Sequence, residues 1–309
     1  MRKLKKPKNL LQILLFCLCA SVVIAVPVMA SLQNKGSADT HTEMSVLNVW
    51  QIDSFEGGKG SRASYLQSIG DDFAKKYGCY IKVTALTSTA AKENLKLGNV
   101  PDLISFGAGI CGIESYICGQ TPFYTWCYGG YCMLSIEEGA DFSDITTENT
   151  VINGGTENLS DAAALLCGVN GADVEKPTGA YVKLINGKYK YLLGTQRDIF
   201  RLKTRGVAFS VKPITEFNDL YQNISVTTQD SKKKLQADNY IKFLLSNSEK
   251  ISKLGLMASG LNLYDDEMRA MEGLNYDCTL ISPTSEQTKN QINSAIINND
   301  IKKLKNLII

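Results

Sequence analysis

Histidine is nearly absent from the sequence, because His41 is the only one among 309 residues. A cysteine nucleophile would therefore lack the imidazole base that commonly activates it. The patterns G-x-S-x-G, H-E-x-x-H and the P-loop are absent as well. We expect no catalytic residue, no metal ion and no cofactor. A glycosidase with paired carboxylates needs no histidine, so Asp53 and Glu56 keep that enzyme class open as an alternative.

Outside the first 30 residues the chain has no excess of basic charge. That segment holds five basic side chains and no acidic one, and the rest of the chain has 28 Lys and Arg against 31 Asp and Glu. Binding to a nucleic-acid backbone depends on a concentrated positive field. We therefore expect no nucleic-acid partner.

The chain has one long hydrophobic run. Residues 10–30 follow the basic stretch MRKLKKPKN and end with Val28 and Ala30 at the small-residue positions that a signal peptidase reads. This pattern predicts a signal peptide over 1–30, a polar linker over 31–45, and an exported, extracytoplasmic protein. The alternative is that the run is retained as a membrane anchor.

Seven cysteines follow the predicted signal peptide: Cys79, Cys111, Cys118, Cys127, Cys132, Cys167 and Cys278. An odd number cannot pair completely. Cys111 and Cys118 are the local candidates for a disulfide, whereas Cys127 and Cys132 would point to opposite faces of one strand. Because the spacings C-x6-C and C-x4-C are not those of a zinc knuckle, we expect mainly buried thiols.

The first half of the chain alternates strand and helix patterns. Strands are predicted over 46–52, 80–86 and 102–106, with helices over 61–77 and 88–98 between them. Such a βαβαβ order predicts an α/β fold with a parallel sheet.

The pattern changes after Gly107. Residues 126–136 read as one long strand interrupted at Gly129-Gly130, and 181–193 read as a hairpin with a type I′ turn at Asn186-Gly187. Helices are predicted from 159, from 195 to 204 and over 231–254. The tail is predicted to place five side chains on one helical face: Ile292, Ile296, Ile301, Leu304 and Ile308. This change favours two lobes.

Five segments carry a family resemblance: LNVWQIDSFEGGKGSR, PDLISFG, TPFYTWCYGGYCML, LLGTQRDIFRL and QDSKKKLQADNYIKFLLSNSEKISKLG. In their order they resemble landmarks of extracellular solute-binding proteins, and are most similar to the family 1 branch of ABC-importer receptors. The resemblance implies a type II periplasmic-binding-protein fold with a hinge between two α/β lobes. It implies a first lobe over 46–135, a second lobe over 136–215 and a return to the first lobe with C-terminal helices over 216–309.

The same resemblance implies a function. A monomeric receptor would capture a small polar solute, expected to be a mono- or short oligosaccharide, by lobe closure and deliver it to an ABC-transporter permease. Trp50 and Trp126 are the only tryptophans, so a long oligosaccharide is not expected. The alternative is a ligand-sensing ectodomain that works without a transporter.

Candidate ligand contacts follow the first and third predicted strands, because ligands of open α/β sheets lie outside the carboxyl ends of strands. At the end of strand one and directly after it these are Gln51, Asp53, Glu56 and Arg62, whose other interpretation is a solvated turn. At the end of strand three and directly after it they are Ser105 and Gly107. The sequence GAGICG there matches G-x-G-x-x-G, but it does not open a long helix, so we interpret it as a glycine loop rather than a nucleotide site.

Two further candidates lie later in the chain. Trp126 and Tyr128 could form a stacking platform for a sugar, or belong to the core. Arg197 begins the predicted helix after 195 and could donate to a ligand, while Thr195 and Asp198 match the capping box.

Overall fold

The structure is a computed structural model that describes residues 45–117, 123–154 and 158–308. The predicted signal peptide over 1–30, the linker up to residue 44 and Cys118, the proposed partner of Cys111, lie outside the described residues. No helix in the described ranges is long and apolar enough to cross a membrane.

The first lobe is built on a five-stranded sheet with the order β2-β1-β3-β10-β4. Its strands are β1 Val46–Ile52, β2 Tyr80–Leu86, β3 Leu103–Gly107, β4 Tyr124–Tyr128 and β10 Tyr221–Val226. β1 pairs in parallel with β2 and β3, whereas β10 runs antiparallel to β3 and β4. The βαβαβ order predicted from the sequence is therefore confirmed.

Two helices follow the first two strands of this lobe, α1 Arg62–Tyr77 and α2 Ser88–Lys96. The hydroxyl of Ser61 caps α1 by accepting from Ser64 N, and Gly78 ends it at a φ of 68°. Both ends agree with the sequence prediction. The buried face of α1 includes Leu66, Ile69 and Phe73, which recur at helical spacing.

The second lobe has its own five-stranded sheet with the order β7-β6-β8-β5-β9. Its strands are β5 Tyr131–Ser135, β6 Thr150–Asn153, β7 Asp173–Glu175, β8 Tyr191–Thr195 and β9 Ser210–Pro213. Its helices are α3 Ser160–Leu166, α4 Pro177–Ile185 and α5 Gln196–Thr204. After β10 the chain continues as α6 Ser231–Leu245, a 3-10 segment over Ser248–Leu254, α7 Glu286–Ile297 and α8 Ile301–Ile308.

The long strand predicted over 126–136 is two strands in different sheets. β4 ends at Tyr128 in the first lobe and β5 begins at Tyr131 in the second, so the chain passes between the lobes at Gly129-Gly130. A Cβ on Gly129 would lie 2.6 Å from Oε1 of Gln196, which explains why this position has no side chain. The chain returns to the first lobe between β9 and β10.

Two other predictions were wrong. The hairpin over 181–193 is the end of α4 followed by β8, and Asn186 with Gly187 ends the helix instead of turning a hairpin. The tail does not form one helix, because Asn299 adopts a φ of 55° between α7 and α8.

The six described cysteines are free thiols, and all except Cys167 are buried. Burial raises the pKa of the Cys127 and Cys167 thiols to about 12. Cys127 and Cys132 belong to different sheets, rather than to two faces of one strand. These thiols have the environment of core residues.

Candidate functional site

A cavity of about 450 Å³ lies where the loop after β1 meets the start of α5. The loop belongs to the first lobe and α5 to the second. The cavity is lined by Asp53, Phe55, Glu56, Gly57, Gly60, Ser61, Arg62 and Arg197. Four of the nine residues proposed from the sequence therefore line one cavity: Asp53, Glu56, Arg62 and Arg197.

Arg62 is a buried cation at this cavity, with a side chain only 3% exposed. Its Nε donates to Oδ1 of Asp53 at 2.7 Å, and its Nη2 donates to the carbonyl of Phe55. The guanidinium carbon lies 4.3 Å from the centroid of the Phe55 ring. Nη1 has no hydrogen-bond partner within the described ranges. This guanidinium is already desolvated, so Nη1 could donate a charge-assisted hydrogen bond to a ligand oxygen.

Asp53 remains open to solvent although it pairs with Arg62, since its side chain is 55% exposed. Gln51 is fully buried and donates from Nε2 to Oδ1 of Asp53 at 2.9 Å. Gln51 does not line the cavity; its hydrogen bond helps to position the Asp53 carboxylate, and the ligand contact proposed for Gln51 stays a prediction.

The two lobes contact each other through the loop after β1 and the first turns of α5. Glu56 Oε2 accepts from Nη2 of Arg201 at 2.9 Å, and the Glu56 carbonyl accepts from Nε2 of Gln196 at 3.1 Å. Arg197 Nη1 donates to the carbonyl of Gly58. We call this set of contacts, made by Glu56, Gly58, Gln196, Arg197 and Arg201, the interlobe clasp.

The start of α5 is held by the capping box that the sequence predicts. Thr195 caps the helix, and Asp198 Oδ2 accepts from Thr195 N at 3.1 Å. Asp198 is fully buried and also accepts from Asn153 Nδ2 at 2.7 Å and from Arg201 Nη1 at 2.9 Å. Burial raises the pKa of the Asp198 carboxyl, while the charge of Arg201 opposes that rise. These hydrogen bonds hold the first turn of α5, and with it Arg197 and Arg201, in position.

Ser105 and Trp126 lie inside the first lobe. Ser105 Oγ accepts from Nε1 of Trp126 at 3.0 Å and from Nε2 of Gln222 at 3.1 Å. The Trp126 ring, 2% exposed, stacks on Tyr65 with centroids 5.8 Å apart and an angle of 3° between the planes. This packing gives both residues a structural role, and neither lines the cavity; their ligand contact stays a prediction.

Gly107 and Tyr128 are also packed against protein. A Cβ on Gly107 would overlap Oγ and Cβ of Ser54, so the absence of a side chain lets the loop after β1 approach β3. Tyr128 donates from its backbone N to the carbonyl of Met257 at 3.0 Å, and its ring packs against Tyr221. Neither residue lines the cavity, and the ligand contacts proposed for them likewise stay predictions.

Sequence reasoning missed Gln196 and Arg201, two members of the interlobe clasp. The amide of Gln196 is fully buried and joins Glu56 of the first lobe to Gly130, since its Oε1 accepts from Gly130 N at 3.0 Å. The one available signal for Arg201 was its place four residues after Arg197 on the same helix. Within the described ranges, no group of three or more His, Cys, Asp or Glu side chains could hold a metal ion.

Comparisons with known proteins define the fold. No family model and no curated protein matches the sequence. Iron-bound HitA from Pseudomonas aeruginosa is similar in structure, with a TM-score of 0.52, 12% identity, and coverage of 84% of this chain and 99% of that one. The spermidine/putrescine ABC transporter substrate-binding protein PotD from Streptococcus pneumoniae is similar with a TM-score of 0.51, 9% identity, and coverage of 84% and 100%. The chain has the two-lobed α/β fold of type II periplasmic-binding proteins.

Proposed function

We propose that this protein is an extracytoplasmic receptor that captures a small polar solute between its two lobes and delivers it to the permease of an ABC transporter. The observation that carries the proposal is the cavity at the lobe boundary, which is lined by charged side chains of both lobes. A solute bound to Arg62 and Arg197 at once would hold the lobes together, as receptor closure requires. The receptor is proposed to act as a monomer.

The lining favours a solute with charged groups over the sugar expected from the sequence. Phe55 is the aromatic residue of the lining, and the Arg62 guanidinium already covers its ring. Trp126 stacks on Tyr65 inside the lobe and offers no free face at this cavity. Two guanidinium groups and two carboxylates line the cavity instead, so we propose a small solute that carries acidic and basic groups together.

A thermal-unfolding panel tests the ligand class. Amino acids, polyamines, dicarboxylates and mono- or disaccharides are added to the purified protein at one fixed ionic strength. A true ligand raises stability by about RT ln(1 + [L]/Kd), roughly 2.7 kcal/mol at a hundredfold excess over Kd. A rise with sugars alone would overturn the charged-solute assignment, and no rise with any class would overturn the receptor assignment.

Two measurements separate the receptor from its alternatives. Mass spectrometry of the ligand recovered after binding should find it chemically unchanged, whereas hydrolysis would support the paired-carboxylate enzyme. Cells lacking the gene should lose uptake of the same solute. Binding without any change in uptake would instead support a ligand-sensing ectodomain.

A further inference from the structure

A second cavity, of about 320 Å³, lies beside the first and is surrounded by four cationic side chains. Its lining comprises Gly58, Lys59, Arg197, Phe200, Arg201, Thr204 and Arg205. The three arginines follow each other at intervals of four residues, so they lie along one face of α5 and its end. Lys59 faces them from the first lobe. Arg197 is shared with the first cavity.

The positive charge around this cavity is not balanced within the lining, which contains no acidic residue. Arg201 pairs with Asp198 and Glu56, and Arg197 lies 3.8 Å from Glu56. Neither Lys59 nor Arg205 forms an ion pair with any residue in the described ranges. Their charged groups lie over aromatic rings, Lys59 at 5.9 Å from the centroid of Phe200 and Arg205 at 4.7 Å from that of Tyr181.

Like charges at four-residue spacing on a helix destabilise it, and a bound anion removes that penalty. The guanidinium of Arg205 suits this role because it can present two parallel N–H donors to the oxygens of a phosphate or carboxylate, whereas Arg197 and Arg201 already donate to Gly58, Asp198 and Glu56 and contribute mainly positive charge. The hydroxyl of Thr204 adds a neutral donor to the same lining. The cavity therefore has the charge and the donors that a multivalent oxyanion requires.

We propose that this second cavity, which we call the arginine pocket, binds a small oxyanion with two or more negative charges, of the phosphate or polycarboxylate type. Because Lys59 belongs to the first lobe and the arginines belong to the second, the anion stabilises the contact between the lobes beside the interlobe clasp. The arginine pocket shares Arg197 with the first cavity, but Lys59 and Arg205 do not line that cavity, so substitutions at these two positions test the arginine pocket separately.

Titration calorimetry with pyrophosphate tests the proposal, using the purified protein and potassium chloride to hold the ionic strength constant. The parent should bind saturably with a stoichiometry near one. Arg205→Gln and Lys59→Gln should each weaken binding about tenfold, the loss expected for one charge-assisted hydrogen bond. Citrate in a second titration distinguishes a pocket for clustered carboxylates from one for phosphate.

The matched control is Lys234→Gln, which removes the same charge from an exposed position on α6. It should bind pyrophosphate like the parent. Equal weakening in Lys234→Gln and Arg205→Gln would show a general charge effect and overturn the proposal, as would a parent without saturable binding of either anion. Binding of the first-cavity solute should persist in Arg205→Gln, so failure of the two proposals is distinguishable.

Discussion

Asp219 accepts a hydrogen bond of 2.8 Å from the hydroxyl of Tyr131, and this contact joins the returning crossover to the first strand of the second lobe. The other Asp219 oxygen accepts from Leu159 N at 2.6 Å, just before α3. Asn158 Nδ2 donates to the Tyr131 hydroxyl at 2.8 Å. A fully buried carboxyl therefore connects three segments at the lobe boundary.

The first prediction is a dependence of stability on pH that arises from Asp219. Burial raises the pKa of its carboxyl to about 6, while the bonds from Leu159 and Tyr131 oppose the rise. Between about pH 4, where the unfolded carboxyl titrates, and about pH 6, the folded chain holds more protons than the unfolded one. The free energy of unfolding should therefore fall as pH rises through this window, by on the order of 2 to 3 kcal/mol for this group.

Urea unfolding of the parent and of Asp219→Asn across that window measures this contribution. The variant cannot titrate at residue 219, so its curve should be flatter. In Tyr131→Phe the loss of the hydroxyl bond should raise the pKa of Asp219 further and extend the falling part of the curve to higher pH. Parallel curves for the parent and Asp219→Asn would contradict the assignment.

The sequence predicted the first three strands and both helices between them, because apolar residues recur there at clear spacings. It missed β10, the antiparallel strand beside β3, since Gln222, Asn223 and Ser225 interrupt any apolar pattern. Gln222 donates to the Ile52 carbonyl and Asn223 to that of Ile281. Partners so distant in the chain cannot be inferred from local sequence.

The wrong hairpin has a different cause. Gly187 adopts a φ of 67°, which satisfies a type I′ turn and a helix end equally well. Pro177 at the start of α4 and the three-residue spacing of Tyr181 and Leu184 were the signals for a helix. The candidate site was likewise only partly predictable. The loops at the strand ends could be located from the sequence, but the contacts of the interlobe clasp could not, because they depend on how the two lobes pack together.

The second prediction separates the residues that hold the start of α5. Asp198→Ala should lower the free energy of unfolding by about 3 kcal/mol, because it removes the buried carboxylate that accepts from Asn153 and Arg201 and leaves Arg201 with only Glu56 and the Pro177 carbonyl. Thr195→Ala should cost only about 1 kcal/mol, the usual value for a lost cap. Chemical denaturation measures both. Asp161→Ala, at an exposed first-turn acid of α3, is the control and should change little; equal effects in all three would argue against the buried network.

A third prediction concerns the close approach of β3 and the loop after β1. Gly107→Ala should destabilise the protein by about 1 to 3 kcal/mol, because the new Cβ overlaps the Ser54 side chain. Adding Ser54→Gly removes the obstructing atoms and should restore most of the loss in thermal unfolding. Gly57→Ala is the control, since its Cβ would meet only the Gly60 carbonyl at 3.7 Å. A double variant no more stable than Gly107→Ala alone would show that Ser54 is not the obstruction.

The last prediction concerns Arg197, which lines the first cavity and donates to the Gly58 carbonyl. If Arg197 binds the solute, Arg197→Ala should weaken affinity for the ligand found in the thermal panel by about tenfold to a hundredfold, since a charge-assisted hydrogen bond is lost. The matched control is Lys203→Ala on the same helix, whose ammonium pairs with Asp266 and Glu267 away from the cavity. Calorimetry should find its affinity near that of the parent, even if its melting temperature falls. Arg197→Ala with parental affinity would mean that the second lobe contacts the solute through other residues, whereas equal weakening in both variants would mean that the effect comes from loosening α5.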